Sequence, residues 1–151
     1  LVAPATDQLV RRGLPHLFAT VREGTGVVGP LVLPGRSSCQ RCHDLRRADR
    51  DPAWPSIAAQ LAGAAPADPP PCDVVLATAV AAHAALQVLA FVDTVDGVDG
   101  SAGFDGRERA TATDGPPLAV DGTLEISQAD GRVRRRSWSM HPLCGCGWQR
   151  E

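Results

Sequence analysis

The feature that most constrains this chain is the placing of its cysteines. Cys39-Gln40-Arg41-Cys42 is a CxxC pair and Cys144-Gly145-Cys146 is a CxC pair, about 100 residues further along a chain of 151. Zinc takes four soft ligands in a tetrahedron, so this spacing predicts one tetrathiolate centre that ties the two ends of the domain together. A CxxC turn presents two sulfurs on one knuckle, and Gly145 and Gly147 let the backbone turn tightly at the second pair. CxC is the less usual spacing, and His141, three residues before Cys144, is an alternative ligand. Disulfides and a thioredoxin-like redox pair are the rival readings. Nothing marks secretion, which disfavours stable disulfides and points to a reducing, cytoplasmic setting. A redox CxxC opens a helix after a strand in a different context. A four-ligand site would add folding energy, on the order of 10 kcal/mol in small zinc domains, and no chemistry, because no coordination position stays open.

The length suits one domain over residues 1–151, able to bury roughly 70% of its unfolded surface. All 15 basic residues are Arg and face 17 acidic ones, a net charge of −2. That excludes a wholesale nucleic-acid footprint while leaving room for local basic patches. An apolar share of 44% with 21% charged residues excludes global disorder. Aromatics are only 4%, so the core must rest on Leu, Val and Ala. Leu1-Val2-Ala3 reads as the end of a strand, with no signal-peptide pattern, and the chain as a fragment or domain of a longer protein. Residues 74–92 are apolar apart from Thr78, His83 and Gln87, long enough to span a bilayer. The segment is rich in weakly lipophilic Ala and flanked by Asp73 and Asp93 rather than by Arg, so a buried core helix with no membrane contact is expected.

Along the chain, Thr6 or Asp7 caps a short helix through Arg12, closed by Gly13. His16 to Val21 and Val27 to Leu33 read as strands joined by a turn at 23–26, with a bend forced by Gly29-Pro30. Helices are expected over 40–48, over 54–62 with Pro55 in the first turn, and over 74–91. Residues 63–71 form an Ala/Pro linker, and 96–117, rich in Gly, Asp, Thr and Ser, form a long mobile loop. Residues 123–127 and 132–140 make a hairpin through Asp130-Gly131.

Taken in order, these residues resemble the C-terminal half of the ThiF/MoeB superfamily, the adenylating enzymes related to ubiquitin-activating enzymes. The carriers are Thr6-Asp7, Arg12, the Val-Gly-Pro strand into Pro34-Gly35, Cys39-x-x-Cys42, a Cys at the head of a long small-residue helix, a hairpin, and a final Cys pair after Pro142. The run 28–45, Asp49-Arg50-Asp51-Pro52-Ala53-Trp54-Pro55 and Cys72 to Thr78 are similar to a divergent branch, the cyclodehydratase partner proteins of bacteriocin biosynthesis. The resemblance implies an α/β fold: the C-terminal portion of a ThiF-like domain, a mixed sheet with a long central helix and a four-cysteine zinc knuckle. It implies that Asp7 and Arg12 match positions that hold magnesium and ATP phosphates, with Gln8 where the family has Asn. It implies zinc at Cys39, Cys42, Cys144 and Cys146, and it places Cys72 where ThiF-like members hold a reactive cysteine. ATP and magnesium would need an upstream half carrying the nucleotide loop. The branch implies partners: a ribosomal precursor peptide and a catalytic cyclodehydratase subunit. A homodimer through the long helix is expected by analogy.

Each candidate also has a plainer reading. Gly24-Thr25-Gly26-Val27-Val28-Gly29 spells GxGxxG, but a phosphate loop must open a helix, and here Pro30 and a β-rich stretch follow; a hairpin turn is expected. Asp7 reads as a helix cap. Cys72 reads as a packed thiol, although a helix N-terminus would favour its thiolate. His83 is a hydrogen-bonded or interface histidine. Arg132, Arg134, Arg135 and Arg136, and Arg36, Arg41, Arg46, Arg47 and Arg50, form two clusters that would grip an acidic peptide or partner, or else a solvated surface. Few stacking aromatics accompany them, which argues against a zinc-ribbon nucleic-acid binder. Trp54, Trp138 and Trp148 are packing residues. The expected role is peptide presentation and docking, the alternative an adenylyltransferase acting on a carrier-protein C-terminus.

Overall fold

The computed structural model describes residues 4–22, 24–63, 72–96 and 116–147. The elements run α1 (Pro4–Arg11), β1 (His16–Arg22), β2 (Thr25–Val32), α2 (Gln40–Arg50), α3 (Trp54–Gly63), α4 (Val74–Asp96), β3 (Gly122–Ser127) and β4 (Val133–Ser137). Almost every expected element is present. The expected strand end at 1–3, most of the linker and loop segments, and Trp148 lie outside the described residues.

Helix α1 starts earlier than expected, because Pro4 fits a first turn that has no use for its missing N–H. It closes as foreseen at Gly13: the Leu14 N–H bonds to Leu9 O and the Gly13 N–H to Val10 O, a Schellman pair. Asp7 is therefore inside the first turn, not the cap, and its carboxylate lies 3.7 Å from Arg11.

The four strands follow one another in the order β1-β2-β3-β4, and each pair is antiparallel. The expected mixed sheet is thus a meander among the described residues. The β1–β2 register slips between Leu17 and Ala19, opposite the cis Gly29-Pro30 bond, where the sequence signals a bend. The GxGxxG run lies within this hairpin and opens no helix. In the β3–β4 turn the Asp130 carboxylate accepts from the Arg132 N–H, as an Asp-Gly signal implies.

Side chains alternate across a strand, so the sheet has two differently covered faces. On one, Leu17, Val21, Val28, Leu124 and Ile126 meet Leu76, Val80 and Ala84 of α4. On the other, Phe18 and Val32 meet Val10 of α1 and the four clustered cysteines. Each fully buried Leu or Val contributes about 1.5–3 kcal/mol.

The expected buried core helix is corrected here. Among the described residues, only one stripe of α4 is covered, by a sheet one layer deep. Leu76 and Val80 are buried, and Gln87 is buried where its Oε1 accepts the Ala119 N–H at 2.9 Å. The outer stripe is apolar and open: Val74 is 75% exposed and Leu89 57%, with Val75, Leu86, Val88 and Val92 beside them. By length and composition α4 could cross a membrane.

Gly26 is where α4 touches the sheet most closely, since a Cβ there would collide with the Val80 and Leu76 side chains. Gly26→Ala is expected to destabilise the fold by about 1–3 kcal/mol through overpacking. Urea unfolding followed by Trp fluorescence checks it, and an unchanged midpoint would contradict the packing.

Candidate metal centre

Two loops deliver the sulfurs. Between β2 and α2, the Ser37 hydroxyl accepts the Leu33 N–H at 2.8 Å and the Ser38 N–H donates to Asp121 Oδ1 at 2.7 Å. Asp121 adopts a left-handed φ of 48° at the end of the turn that leads into β3 and so reaches across to this loop. Cys39 then caps α2 with extended backbone, its carbonyl accepting the His43 N–H, and Cys42 follows one turn later. The second loop leaves β4 at Trp138, whose indole N–H donates to Thr123 Oγ1 at 3.0 Å. Gly145, at a φ of 76°, makes the tight turn that lets a CxC pair point two sulfurs the same way.

The four Sγ atoms of Cys39, Cys42, Cys144 and Cys146 lie within 4.8 Å of one another. Cys39 to Cys144 and Cys42 to Cys146 are both 3.4 Å, and Cys39 to Cys42 is 3.9 Å. A tetrahedral Zn–S bond of about 2.3 Å sets sulfurs about 3.8 Å apart, so the donor set fits such an ion. These separations are far beyond a bonded disulfide, and all four thiols are free. The convergence of four sulfurs, rather than two, favours the metal-site reading. Cys39 and Cys42 are buried, and Cys144 and Cys146 are half-buried.

Protons are unevenly shared within the cluster. Hydrogen bonds from Cys146 and then Cys39 pull Cys42 below the usual thiol range. Burial, with Cys39 adding to it, pushes Cys144 up to about 12. The Cys39 contact, followed by Cys42, raises Cys146 strongly as well. A metal must therefore displace protons from at least Cys144 and Cys146.

His141 is not a fourth ligand. Its backbone N–H donates to Cys42 Sγ at 3.3 Å, while its ring faces Asp49 and the Leu143 N–H. Beside the centre, His43 stacks on Trp138 with centroids 4.6 Å apart and bonds the Ser38 hydroxyl. Burial, with the Arg47 charge, holds its pKa down at about 4, so the ring is neutral. The Arg47 guanidinium lies 4.8 Å from the ring centroids of both Trp54 and Trp138, and the Trp54 N–H donates to Asp44. This stack was missed in sequence, since two tryptophans as far apart as Trp54 and Trp138 carry no sign of sharing one arginine.

The remaining candidates stay apart from the four sulfurs. Asp7 lies on the surface of α1, and Arg12 is exposed just past its end. Cys72 is exposed just before α4, whose N-terminal Val75 N–H is capped by Asp73. His83 is half-buried on α4. Much of the arginine surface is engaged within the protein. Arg135 donates to the carbonyls of Leu118, Val120 and Asp121, Arg136 pairs with Glu125 at 2.8 Å, Arg132 pairs with Asp130, and Arg46 donates to Met140 O.

No family model and no curated protein sequence matches the chain. Solved structures do match. Escherichia coli MccB with ATP superposes at a TM-score of 0.60 with 18% identity, over 94% of this chain and 34% of that one. The microcin C7 biosynthetic enzyme MccB in complex with N-formylated MccA gives 0.61, 17%, 95% and 36%. A heterocyclase in complex with substrate and cofactor gives 0.62, 14%, 95% and 18%. At such identities the likeness is one of fold, and the chain spans about a third of the length of the MccB chains it matches. The chain thus shares the fold of part of those proteins, and its own four-cysteine cluster lies within that shared portion.

One zinc per chain is expected by elemental analysis, with Cys39→Ser losing both metal and fold; a folded, metal-free variant would refute the structural role. Zinc affinity should rise by about a hundredfold per pH unit between pH 6 and 8, because binding releases one proton each from Cys144 and Cys146. Chelator competition across that range measures the slope.

Proposed function

We propose that this chain is a docking component of an azoline-forming cyclodehydratase, one that binds a ribosomal precursor peptide and holds a catalytic partner subunit. The observation that carries the reading is the fold shared with a substrate-bound heterocyclase and with MccB bound to N-formylated MccA, around a closed four-thiol centre. Zinc is the metal the donor set favours, in a structural role. The arrangement offers scaffolding rather than a reaction. The GxGxxG run is a hairpin, Asp7 is paired with Arg11, and Cys72 stands outside the sulfur cluster. A cytoplasmic location accords with the free thiols. The engaged arginines leave little support for a nucleic-acid role.

A second reading rests on the likeness to MccB with ATP: an adenylyltransferase whose nucleotide loop lies in a preceding half. Titrating the full-length protein with a labelled precursor peptide encoded nearby separates the two. Saturable binding at low salt, without ATP–pyrophosphate exchange, is the expected result. Exchange that is lost on Asp7→Ala would favour the adenylyltransferase, and absence of both would defeat both readings.

The open stripe of α4 fits a second copy of the chain. It carries no charge between Val74 and Val92. Exposed Ala81, Ala82 and Ala85 sit between larger residues at either end, a pattern that matches itself under a two-fold axis. Its six large side chains expose on the order of 600 Å², enough for two copies to reach the lower range of specific interfaces. Sedimentation should show a dimer and Leu89→Arg a monomer. A monomeric parent, or an unchanged dimer in the variant, would remove this interface.

A further inference from the structure

We infer that Asp49, His141 and Arg46 form a latch that positions the CxC arm against α2, and that His141 serves the metal centre without ligating it. The inference deepens the zinc reading above and concerns residues that carry no sulfur.

Cys42, Arg46 and Asp49 recur along α2 at intervals of four and three residues, so they share one stripe of the helix. All three reach the same short segment. Cys42 Sγ accepts the His141 N–H at 3.3 Å. The Arg46 guanidinium donates to Met140 O at 2.9 Å. The His141 Nε2–H donates to Asp49 Oδ2 at 3.1 Å. Residues 140–141 are therefore held at three points by a helix that also supplies half of the sulfur set.

His141 passes this constraint on to the ligand. Its Nδ1 accepts the Leu143 N–H at 3.1 Å, and its carbonyl accepts the Cys144 N–H at 3.0 Å. Both bonds shape the turn that ends at Cys144. With Nδ1 accepting, the ring proton sits on Nε2 and points at Asp49, so both ring nitrogens are used and neither is free for a metal. The ring is 5% exposed, and the Asp49 carboxylate is about half exposed, supported by Arg46 at 3.9 Å. The buried ring provides rigidity, and the surface carboxylate sets its direction. Partners of this kind orient ligands, and losing one typically weakens metal binding by about 10–100-fold.

The test uses the full chain, zinc competition against a chelator, and the absorption of the cobalt-substituted protein. Asp49→Ala and His141→Ala should each weaken zinc by about 10–100-fold, and the double variant by no more than the weaker single. Asp49→Asn keeps an acceptor for the ring N–H and should stay within a few-fold of the parent. All should keep the charge-transfer intensity of four thiolates. Asp49 is the safeguard against misfolding, because truncating a surface carboxylate leaves the core untouched; thermal unfolding in excess zinc verifies it. Unchanged affinity in Asp49→Ala, an equal loss in Asp49→Asn, or a cobalt spectrum altered by His141→Ala in the manner of a lost ligand would each overturn the latch.

Discussion

The convergence of four thiols from loops 104 and 105 residues apart is the constraint on which the rest of this structure depends. The sheet alone is thin. Its four strands carry one helix on one face, and on the other the described core cluster consists of Val32, Phe18, Val10 and the cysteines themselves. That second face has few large apolar side chains, in keeping with an aromatic share of 4%. Metal binding at a closed four-sulfur site supplies folding free energy of the order found in zinc fingers, about 10–16 kcal/mol. A metal bound here would add it where burial supplies least.

Helix α2 gathers these forces. One stripe, Cys42, Arg46 and Asp49, holds the C-terminal arm, and the adjacent stripe, His43, Arg47 and Arg50, faces Trp138 at the end of β4. The two stripes are one position apart along the same turns, so a short polar helix binds both the strand end and the loop beyond it. Arg46, Arg47 and Arg50 are structural cations, sheltered by indole rings or aimed at a carbonyl, which explains how so basic a segment sits against a core.

Much of this was legible in the sequence because it rests on local signals. The CxxC and CxC pairs, the Asp130-Gly131 turn, the Gly13 stop and the Gly29-Pro30 bend each act within a few residues, and each appears where expected. What escaped depends on partners distant in sequence. In α4 nearly every position is apolar, so periodicity could not say which stripe faces the sheet and which stays open. His141 stands three residues from a cysteine, a ligand-like spacing, yet its ring is claimed by Asp49, 92 residues earlier. The cap assigned to Asp7 failed because Pro4 lets the helix begin a turn sooner. The antiparallel pairing of β2 with β3 joins residues as far apart as Thr25 and Ser127 and leaves no local mark.

Strand β4 closes the described sheet on one side, and all five of its residues are exposed, three of them arginines. An unpaired strand edge is a template onto which other chains can add, and nature commonly blunts it with charge. With Arg136 paired to Glu125, Arg134 and Arg135 leave positive charge along that edge, so another copy approaching strand to strand meets repulsion before any backbone hydrogen bond can form. Self-recognition through the sheet is thereby discouraged.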